Sequence, residues 1–311
     1  MSNTCSLIEL YRKHTGKVSD KWKLYLRVYD EIFQRYRNKP INLLEIGIQN
    51  GGSLEIWSNY FHRDSLICGI DIDEKCKELK YNQENIKIII DDATDSSIIE
   101  KIRSLDIEGF DIIIDDGSHV SKDIIKTFVN LFPLLREGGL YIVEDLHCAY
   151  WENFGGGLLK EFSSIEFLKL LVDILNHEHW RLNKPRIWLL RDFISEFGIS
   201  INEMELAKIK SISFYNSLCV IEKDTICENK LGERVVVGNE TLVSPDTVPS
   251  ELNCSSISDL NFGSLPSIYP TRKELLNAIT ELKSRFTEVE DELVRVRNEL
   301  DAERQAKVEL Q

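Results

Sequence analysis

The chain has 311 residues, of which 42% are hydrophobic and 29% are charged, and its formal net charge is −14. This length allows one large or two modest domains, and the acidic balance disfavours nucleic acid as a partner because it repels phosphate backbones. No apolar run approaches the about 18 residues that span a bilayer, and the N-terminal stretch lacks a signal-peptide pattern, so we expect no transmembrane segment and a cytoplasmic protein.

Residues 1–39 are predicted to form an N-terminal helical cap. The stretch VSDKWKLYLRVYDEIFQRYRN places large apolar residues at three- and four-residue spacing, with Ser19 as a plausible N-cap and Pro40 as the end of the helix. The residues on this face are Trp22, Leu26, Tyr29 and Phe33. The spacing favours core packing for Trp22 over a position above a bound cofactor.

Residues 40–223 alternate short apolar runs with helical segments, which is typical of a parallel sheet covered by helices on both faces. The apolar runs are 41–48, 66–73, 86–92, 110–116 and 139–145. The helical segments are 52–62, 95–105, 119–135 and 158–200. Residues 210–223 are predicted to add a pair of closing strands, so the fold class is α/β with a Rossmann-like sheet.

The end of the chain differs in composition. Residues 224–270 are rich in Asn, Ser, Pro and Gly, which predicts a linker, whereas 271–311 carry apolar residues at a four-three spacing. This spacing favours a coiled coil over a single helix docked on the domain. The seam residues are Leu275, Ile279, Leu282, Phe286, Val289, Leu293, Val296 and Leu300. We expect a homo-oligomer, with a trimer favoured by the seam composition, and a polypeptide that continues beyond residue 311.

A glycine-containing turn follows the first predicted strand. In LLEIGIQNGGSLEIW, Glu45, Gly47 and Gly51 form an E-x-G-x-x-x-G pattern directly before a helix. Glycines there let the backbone turn sharply and approach a ligand closely, although a purely structural strand-to-helix turn shows the same pattern. Neither G-x-G-x-x-G nor a Walker lysine is present, which argues against a dinucleotide or a phosphate cradle.

Acidic residues end the next two predicted strands. Asp71 closes GIDID, where a carboxylate can accept hydrogen bonds from both ribose hydroxyls. Asp92 lies in IIDDATD, where a carboxylate can accept one from an adenine amino group. Together with the glycine turn, these strand ends predict a bound nucleoside that carries no pyrophosphate.

The sequence resembles the class I S-adenosylmethionine-dependent methyltransferases. More narrowly, it is similar to the metal-dependent sugar O-methyltransferases of the macrolide-glycoside type, over roughly residues 5–220. The motifs that carry this resemblance are HTGKVSDKW, LLEIGIQNGGSLEIW, IDDGSH and VEDLHCAYW. It implies a methyltransferase fold, S-adenosylmethionine and Mg²⁺ as cofactors, and a set of cofactor contacts. These are Glu45, Gly47, Gly51, Asp71, Asp92 and Asp115.

Two further aspartates, Asp116 and Asp145, end the fourth and fifth predicted strands. Ligands of open parallel sheets lie beyond the carboxyl ends of the strands, so both carboxylates are expected to meet in one pocket, where they suit Mg²⁺. A metal ion lowers the pKa of a bound hydroxyl, as it does for water. The resemblance assigns metal binding to this pair and the role of general base to His119.

Other interpretations of these residues remain open. Asp115 or Ser118 could cap the following helix, and His119 could only position its neighbours. Glu144 and His147 flank the site and could provide an additional ligand or base. Tyr150 and Trp151 could stack on a sugar face or pack within the domain.

The function favoured by the sequence is Mg²⁺-dependent O-methyl transfer to a sugar of a bacterial surface polysaccharide. The polysaccharide is inferred from the tail, because a coiled coil would suit an enzyme tethered or fused to glycosyltransferases. The alternatives are methylation of a small-molecule glycoside or a catechol, and a non-catalytic assembly module built around the coiled coil. The retained Gly, Asp and His residues disfavour the module.

Overall fold

The computed structural model describes residues 5–238, 240, 242, 243 and 272–309. The chain divides into two units, one up to residue 261 and the other from residue 262 onward. Within the described residues, no helix combines the length and the apolar character that a membrane span requires.

The first unit is built on a seven-stranded sheet. Its strands are β1 (Asn42–Ile46), β2 (Leu66–Asp71), β3 (Ile86–Ile90), β4 (Phe110–Asp115), β5 (Leu135–Val143), β6 (Ile209–Tyr215) and β7 (Leu218–Lys223). The strand order is β3-β2-β1-β4-β5-β7-β6. Strands β1 to β5 are parallel, and β7 is antiparallel to both of its neighbours. The predicted α/β sheet and its closing strand pair are therefore confirmed.

Helices surround this sheet. They are α1 (Leu7–Lys13), α2 (Lys23–Ile32), α3 (Gly52–Tyr60), α4 (Ile98–Arg103), α5 (Ser121–Leu131), α6 (Ser164–Leu175), α7 (Arg191–Phe197) and α8 (Glu203–Leu206). Residues 158–200 thus contain two α-helices and short 3-10 turns rather than one continuous helix. Helix α6 ends at Leu175, and the segment before α7 contains Pro185, which fixes φ and cannot donate a backbone hydrogen bond.

Two cores form, one on each face of the sheet. One contains side chains of α1, α2 and α3 packed on β1 and β4, among them Tyr29, Trp57 and Leu43. The other contains side chains of α4 to α7 and includes Phe128 and Leu168. Strands buried on both faces need apolar residues throughout, which explains the continuous apolar runs in the sequence.

The N-terminal region differs in detail from its prediction. Helix α2 begins at Lys23 with Trp22 as its N-cap residue, so Ser19 is not the N-cap. The Ser19 hydroxyl instead lies 3.1 Å from the Tyr11 hydroxyl. An extended link between α1 and α2 places the last residues of HTGKVSDKW beside the carboxyl ends of the strands rather than on a helix face.

The second unit is described as one helix, α9 (Arg272–Glu309), of 38 residues. The eight predicted seam residues are all exposed, from 44% for Val296 to 65% for Phe286. The helix agrees with the sequence pattern, while its self-association stays a prediction. Residues 224–238 contain neither helix nor strand, and most of the remaining predicted linker lies outside the described residues.

Candidate active site

A cavity of about 710 Å³ opens at the carboxyl ends of the parallel strands. This is the edge at which open parallel sheets bind ligands. Most of the residues singled out from the sequence line this cavity: Gly47, Asp71, Asp92, Asp115, Asp116, His119 and Asp145. The fold thus brings together groups from five different strand ends.

Gly47 and Gly51 shape the loop between β1 and α3. Both have positive φ angles, of 83° and 80°. A Cβ on Gly47 would lie 2.1 Å from the carbonyl oxygen of Asp116, so a side chain there would push this loop away from the end of β4. Gly51 is the N-cap residue of α3, and the space of its missing side chain is occupied by the Tyr81 hydroxyl. Gly51 therefore shapes the turn without itself lining the cavity.

Asp71 organises the same loop from the end of β2. Its Oδ2 accepts hydrogen bonds from the backbone N–H groups of Ile48 (2.9 Å) and Gln49 (3.0 Å), and its Oδ1 accepts one from Asp73 (2.9 Å). Asp92 likewise accepts a bond from the backbone N–H of Thr94 (2.8 Å). Both carboxylates are held in place by backbone donors at the cavity wall, and a carboxylate has lone pairs for further donors.

Two of the predicted cofactor residues are buried. Burial raises the pKa of Asp115 to about 7, although a hydrogen bond from the Gly117 N–H opposes this shift. Glu45 is fully buried, and its Oε2 accepts bonds from Ser53 Oγ (2.6 Å) and Trp57 Nε1 (3.2 Å). Because protein groups surround its carboxylate, Glu45 is not part of the cavity wall, and its contact with a cofactor stays a prediction.

Asp116, His119 and Asp145 meet at the cavity. The Nε2 atom of His119 lies 3.9 Å from Asp116 Oδ1 and 3.7 Å from Asp145 Oδ2. His119 and Asp145 also have left-handed backbone conformations, with φ angles of 59° and 55°. Such angles are uncommon outside glycine and persist where the surrounding structure enforces them, often at functional sites.

Sequence reasoning missed the role of Lys21. Its side chain is 2% exposed, and its Nζ lies 2.5 Å from Asp116 Oδ2, 2.8 Å from Glu144 Oε1 and 3.1 Å from Glu45 Oε1. Burial by itself lowers the pKa of this lysine, but attraction to the three carboxylates outweighs it and leaves the pKa well above its ordinary value. Lys21 lies in HTGKVSDKW, a motif that contributes to the resemblance and so could have drawn attention to it. The motif is polar, however, and gave no indication that Lys21 is buried.

Glu144 is the second buried carboxylate beside Lys21. It is 2% exposed, and the Tyr29 hydroxyl donates a 2.6 Å hydrogen bond to its Oε1. Burial raises the pKa of Glu144 to about 8, while the Lys21 ammonium acts in the opposite direction. Ion pairs as buried as this one depend on all of their partners being present.

Trp22 and Tyr25 contact Asp145 from the N-terminal side of α2. The Trp22 Nε1 and Tyr25 hydroxyl groups donate to Asp145 Oδ1 over 3.0 Å and 2.8 Å. The prediction that Trp22 packs in the core is wrong, because its side chain is 59% exposed. The extended link before α2, which periodicity could not reveal, turns this indole away from the buried face of the helix.

His147, Tyr150 and Trp151 lie close to Asp145 in the chain. His147 Nδ1 is 2.5 Å from Ser217 Oγ and 3.8 Å from Asp145 Oδ1. Trp151 packs edge-on against the His147 ring, with ring centroids 5.0 Å apart. Tyr150 and Trp151 are 45% and 51% exposed, so packing in the core does not account for them.

Two groups of side chains among the described residues have the spacing of metal ligands. Asp116, His119 and Asp145 form the first group, and Glu45, Asp116 and Glu144 form the second. The Lys21 ammonium already contacts all three carboxylates of the second group. The first is partly exposed and offers carboxylate oxygens from two strand ends, so it fits a hydrated Mg²⁺ ion, which prefers oxygen ligands and keeps several waters.

Residues 22–152 match a protein-family model described as rhamnosyl O-methyltransferase/CmcI. Demethylmacrocin O-methyltransferase of Streptomyces fradiae is 39% identical over 160 residues, which cover 48% of this chain and 39% of that protein. The 8-demethyl-8-alpha-L-rhamnosyl tetracenomycin-C 2'-O-methyltransferase of Streptomyces olivaceus is 36% identical over 179 residues, or 54% of this chain and 46% of that protein. The chain thus spans less than half the length of these curated relatives.

A solved structure is also similar. It is the MycE methyltransferase of the mycinamycin biosynthetic pathway, in complex with Mg, SAH and mycinamycin VI. The TM-score is 0.59 at 29% sequence identity, over 73% of this chain and 55% of that one. These comparisons confirm the predicted resemblance to sugar O-methyltransferases and the Rossmann-like methyltransferase fold.

Proposed function

We propose that this chain, which is similar over residues 22–152 to the rhamnosyl O-methyltransferase/CmcI family, transfers a methyl group from S-adenosylmethionine to a sugar hydroxyl with the aid of Mg²⁺. The observation that carries the proposal is the meeting of Asp116, His119 and Asp145 in a cavity that Asp71 and Asp92 also line. One cavity therefore holds groups suited to a nucleoside together with groups suited to a cation and a proton. The Mg and SAH named in the MycE complex support the same pair of cofactors.

The nucleoside end of the cavity is assigned to the strand ends of β1, β2 and β3. Asp71 accepts hydrogen bonds from the ribose hydroxyls, and Asp92 accepts one from the adenine amino group. Gly47 allows the backbone to approach the cofactor, Asp115 contacts it from the end of β4, and Gly51 and Glu45 keep the turn and α3 in place. This division follows from burial, since Asp71 and Asp92 line the cavity whereas Glu45 is enclosed by Lys21, Ser53 and Trp57.

The chemical end is assigned to Asp116, Asp145 and His119. The two carboxylates hold Mg²⁺, which when bound lowers the pKa of an acceptor hydroxyl. His119 Nε2 receives the hydroxyl proton as the oxygen bonds to the methyl carbon, and the sulfonium sulfur keeps the electron pair of the broken C–S bond. Glu144 and His147 stay candidates for an additional ligand or base.

The acceptor is proposed to be a glycoside. The matching family model and one of the curated relatives are named for a rhamnosyl group, which favours a sugar over a catechol. The surface polysaccharide inferred from the tail stays a prediction that these names do not support. The test is incubation with S-adenosylmethionine, Mg²⁺ and a panel of rhamnosides, oligosaccharides and catechols. Mass spectrometry then identifies which of these compounds is methylated. Methylation of none of them would contradict the proposed activity.

Asp71→Ala is expected to weaken S-adenosylmethionine binding by about tenfold to a hundredfold. The variant loses the proposed ribose contacts and leaves the backbone N–H groups of Ile48 and Gln49 without their acceptor. A tenfold to hundredfold loss is about 1.4 to 2.8 kcal/mol, close to the about 1.5 to 3 kcal/mol of one hydrogen bond to a charged group. Isothermal titration calorimetry measures the change. Asp64→Ala is the matched control, because Asp64 is an exposed residue just before β2 whereas Asp71 ends the same strand. Equal affinity in Asp71→Ala and the parent would refute the ribose assignment.

The helix α9 is proposed to make the protein a homo-oligomer, with a trimer as the expected state. We expect Leu282→Lys together with Leu293→Lys to convert the full chain to a monomer, because each change places a charge in the apolar seam. Thr287→Lys, on the same helix but outside the seam, is the control. Light scattering gives the mass of each variant. A monomeric parent would refute self-association, and a dimer would refute the trimer.

A further inference from the structure

We infer that three residues of the N-terminal segment, Lys21, Trp22 and Tyr25, are positioning residues for the metal site. They are called the N-terminal brace below. The inference rests on the Mg²⁺ site of the proposed function, but it concerns residues that make no proposed contact with the cation. They precede the nucleotide-binding sheet in the chain and reach the carboxylates from outside it.

The brace occupies one oxygen of Asp116. Lys21 Nζ lies 2.5 Å from Oδ2, while Oδ1 is the oxygen nearest His119 Nε2, at 3.9 Å. Lys21 cannot leave this place without abandoning the buried Glu45 and Glu144. One oxygen of the Asp116 carboxylate is therefore bound to Lys21, and the other is directed at the candidate metal site formed with His119 and Asp145.

The brace also binds one oxygen of Asp145, here through the neutral donor groups of Trp22 and Tyr25. Trp22 Nε1 donates to Oδ1 over 3.0 Å, while Oδ2 lies 3.7 Å from His119 Nε2. The Tyr25 hydroxyl lies 2.8 Å from Oδ1 and 2.9 Å from the Ser217 carbonyl oxygen, so its one proton is shared between these two acceptors. The Tyr25 hydroxyl also accepts a 3.2 Å bond from the backbone N–H of Asp145. That bond supports the left-handed backbone of Asp145, which would otherwise be strained.

Packing holds the Tyr25 part of the brace in place. Tyr25 is 1% exposed, and Leu26 and Tyr29 anchor α2 in the same core at 5% and 0%. The two oxygens that the brace leaves unused belong to residues that follow different strands, β4 and β5, yet both face His119. Groups that orient metal ligands in this manner typically change metal affinity about tenfold to a hundredfold when removed.

The test uses the full chain and Mn²⁺, whose free form has an electron paramagnetic resonance signal. Tyr25→Phe keeps the ring and removes the hydroxyl, and Trp22→Phe removes the indole donor of an exposed side chain. We expect Tyr25→Phe to weaken Mn²⁺ binding about tenfold to a hundredfold and Trp22→Phe to weaken it several-fold. S-adenosylmethionine affinity should not change.

The chain offers a matched control for each change. Tyr36→Phe removes a buried hydroxyl that donates to the Gly138 carbonyl, and Trp180→Phe removes an indole donor to the Asp173 carbonyl. Both should leave Mn²⁺ affinity unchanged. At saturating Mg²⁺, Tyr25→Phe should recover most of the parental kcat, which general destabilisation would not allow.

The possible failures differ from one another. A parent that binds Mn²⁺ and S-adenosylmethionine, with Tyr25→Phe and Trp22→Phe of equal Mn²⁺ affinity, overturns the brace and leaves the proposed function intact. A parent that binds no Mn²⁺ overturns the metal site and the brace with it. Equal weakening by Tyr36→Phe would overturn the specific role of Tyr25.

Discussion

Asp145→Asn is expected to reduce the rate of methyl transfer by about 10³-fold or more, because the Lewis acidity of a bound metal stabilises a transition state by several kcal/mol. Asp145 and Asp116 are the carboxylates whose unused oxygens lie within 4 Å of His119 Nε2. Asp116→Asn should have an effect of the same size. S-adenosylmethionine binding should change little, because Asp71 and Asp92 belong to other strands.

The chain offers a control residue with the same backbone conformation as Asp145. Asp106 has a φ angle of 55°, the same as Asp145, and lies in the loop before β4, away from the strand ends that form the cavity. Asn tolerates this conformation as Asp does, so Asp106→Asn should retain parental activity. EDTA should stop the parent enzyme and added Mg²⁺ should restart it. Full turnover in the presence of the chelator would rule out the metal-dependent mechanism.

Removal of the imidazole at position 119 is expected to lower kcat by about 10² to 10⁴, the usual contribution of a general base, with less effect on KM. His119 Nε2 lies 3.9 Å from Asp116 Oδ1 and 3.7 Å from Asp145 Oδ2, so the imidazole is close to the hydroxyl that the proposed metal would bind. His119→Asn is the preferred variant, because Asn tolerates the φ angle of 59° better than Ala does.

Two further measurements define the role of His119. Raised pH should recover part of the lost rate, since hydroxide or a more ionised acceptor can replace the base. His179→Ala, a change of a surface histidine outside the cavity, should have no effect. If His119→Asn keeps the parental kcat, the base is His147, or activation by the metal is sufficient. The same assay on His147→Ala then decides between these two.

The strand ends of the candidate site could be predicted from the sequence. Gly47, Asp71, Asp92, Asp116 and Asp145 each follow an apolar run within a few residues. The parallel arrangement of the strands then places all five at one edge of the sheet. The α/β fold was predictable for the same reason, because burial of both sheet faces leaves continuous apolar runs in the sequence.

The residues that position the carboxylates of that site could be identified only from the tertiary structure. Lys21 is 95 residues from Asp116, and Tyr25 and Trp22 are 120 and 123 residues from Asp145. No periodicity or local motif encodes contacts across such separations. The same limit explains the error at Trp22, since helical spacing describes α2 but not the extended link before it.

The sequence by itself determined the sheet, the glycine turn and the acidic strand ends, because these features are local. The methyltransferase was indicated by the resemblance that four of its motifs carry. Only the folded chain decided that Glu45 and Glu144 are buried with Lys21, and that the N-terminal segment reaches Asp116 and Asp145. Burial of a charged side chain depends on which distant partners neutralise it, and those partners are known only once the chain has folded.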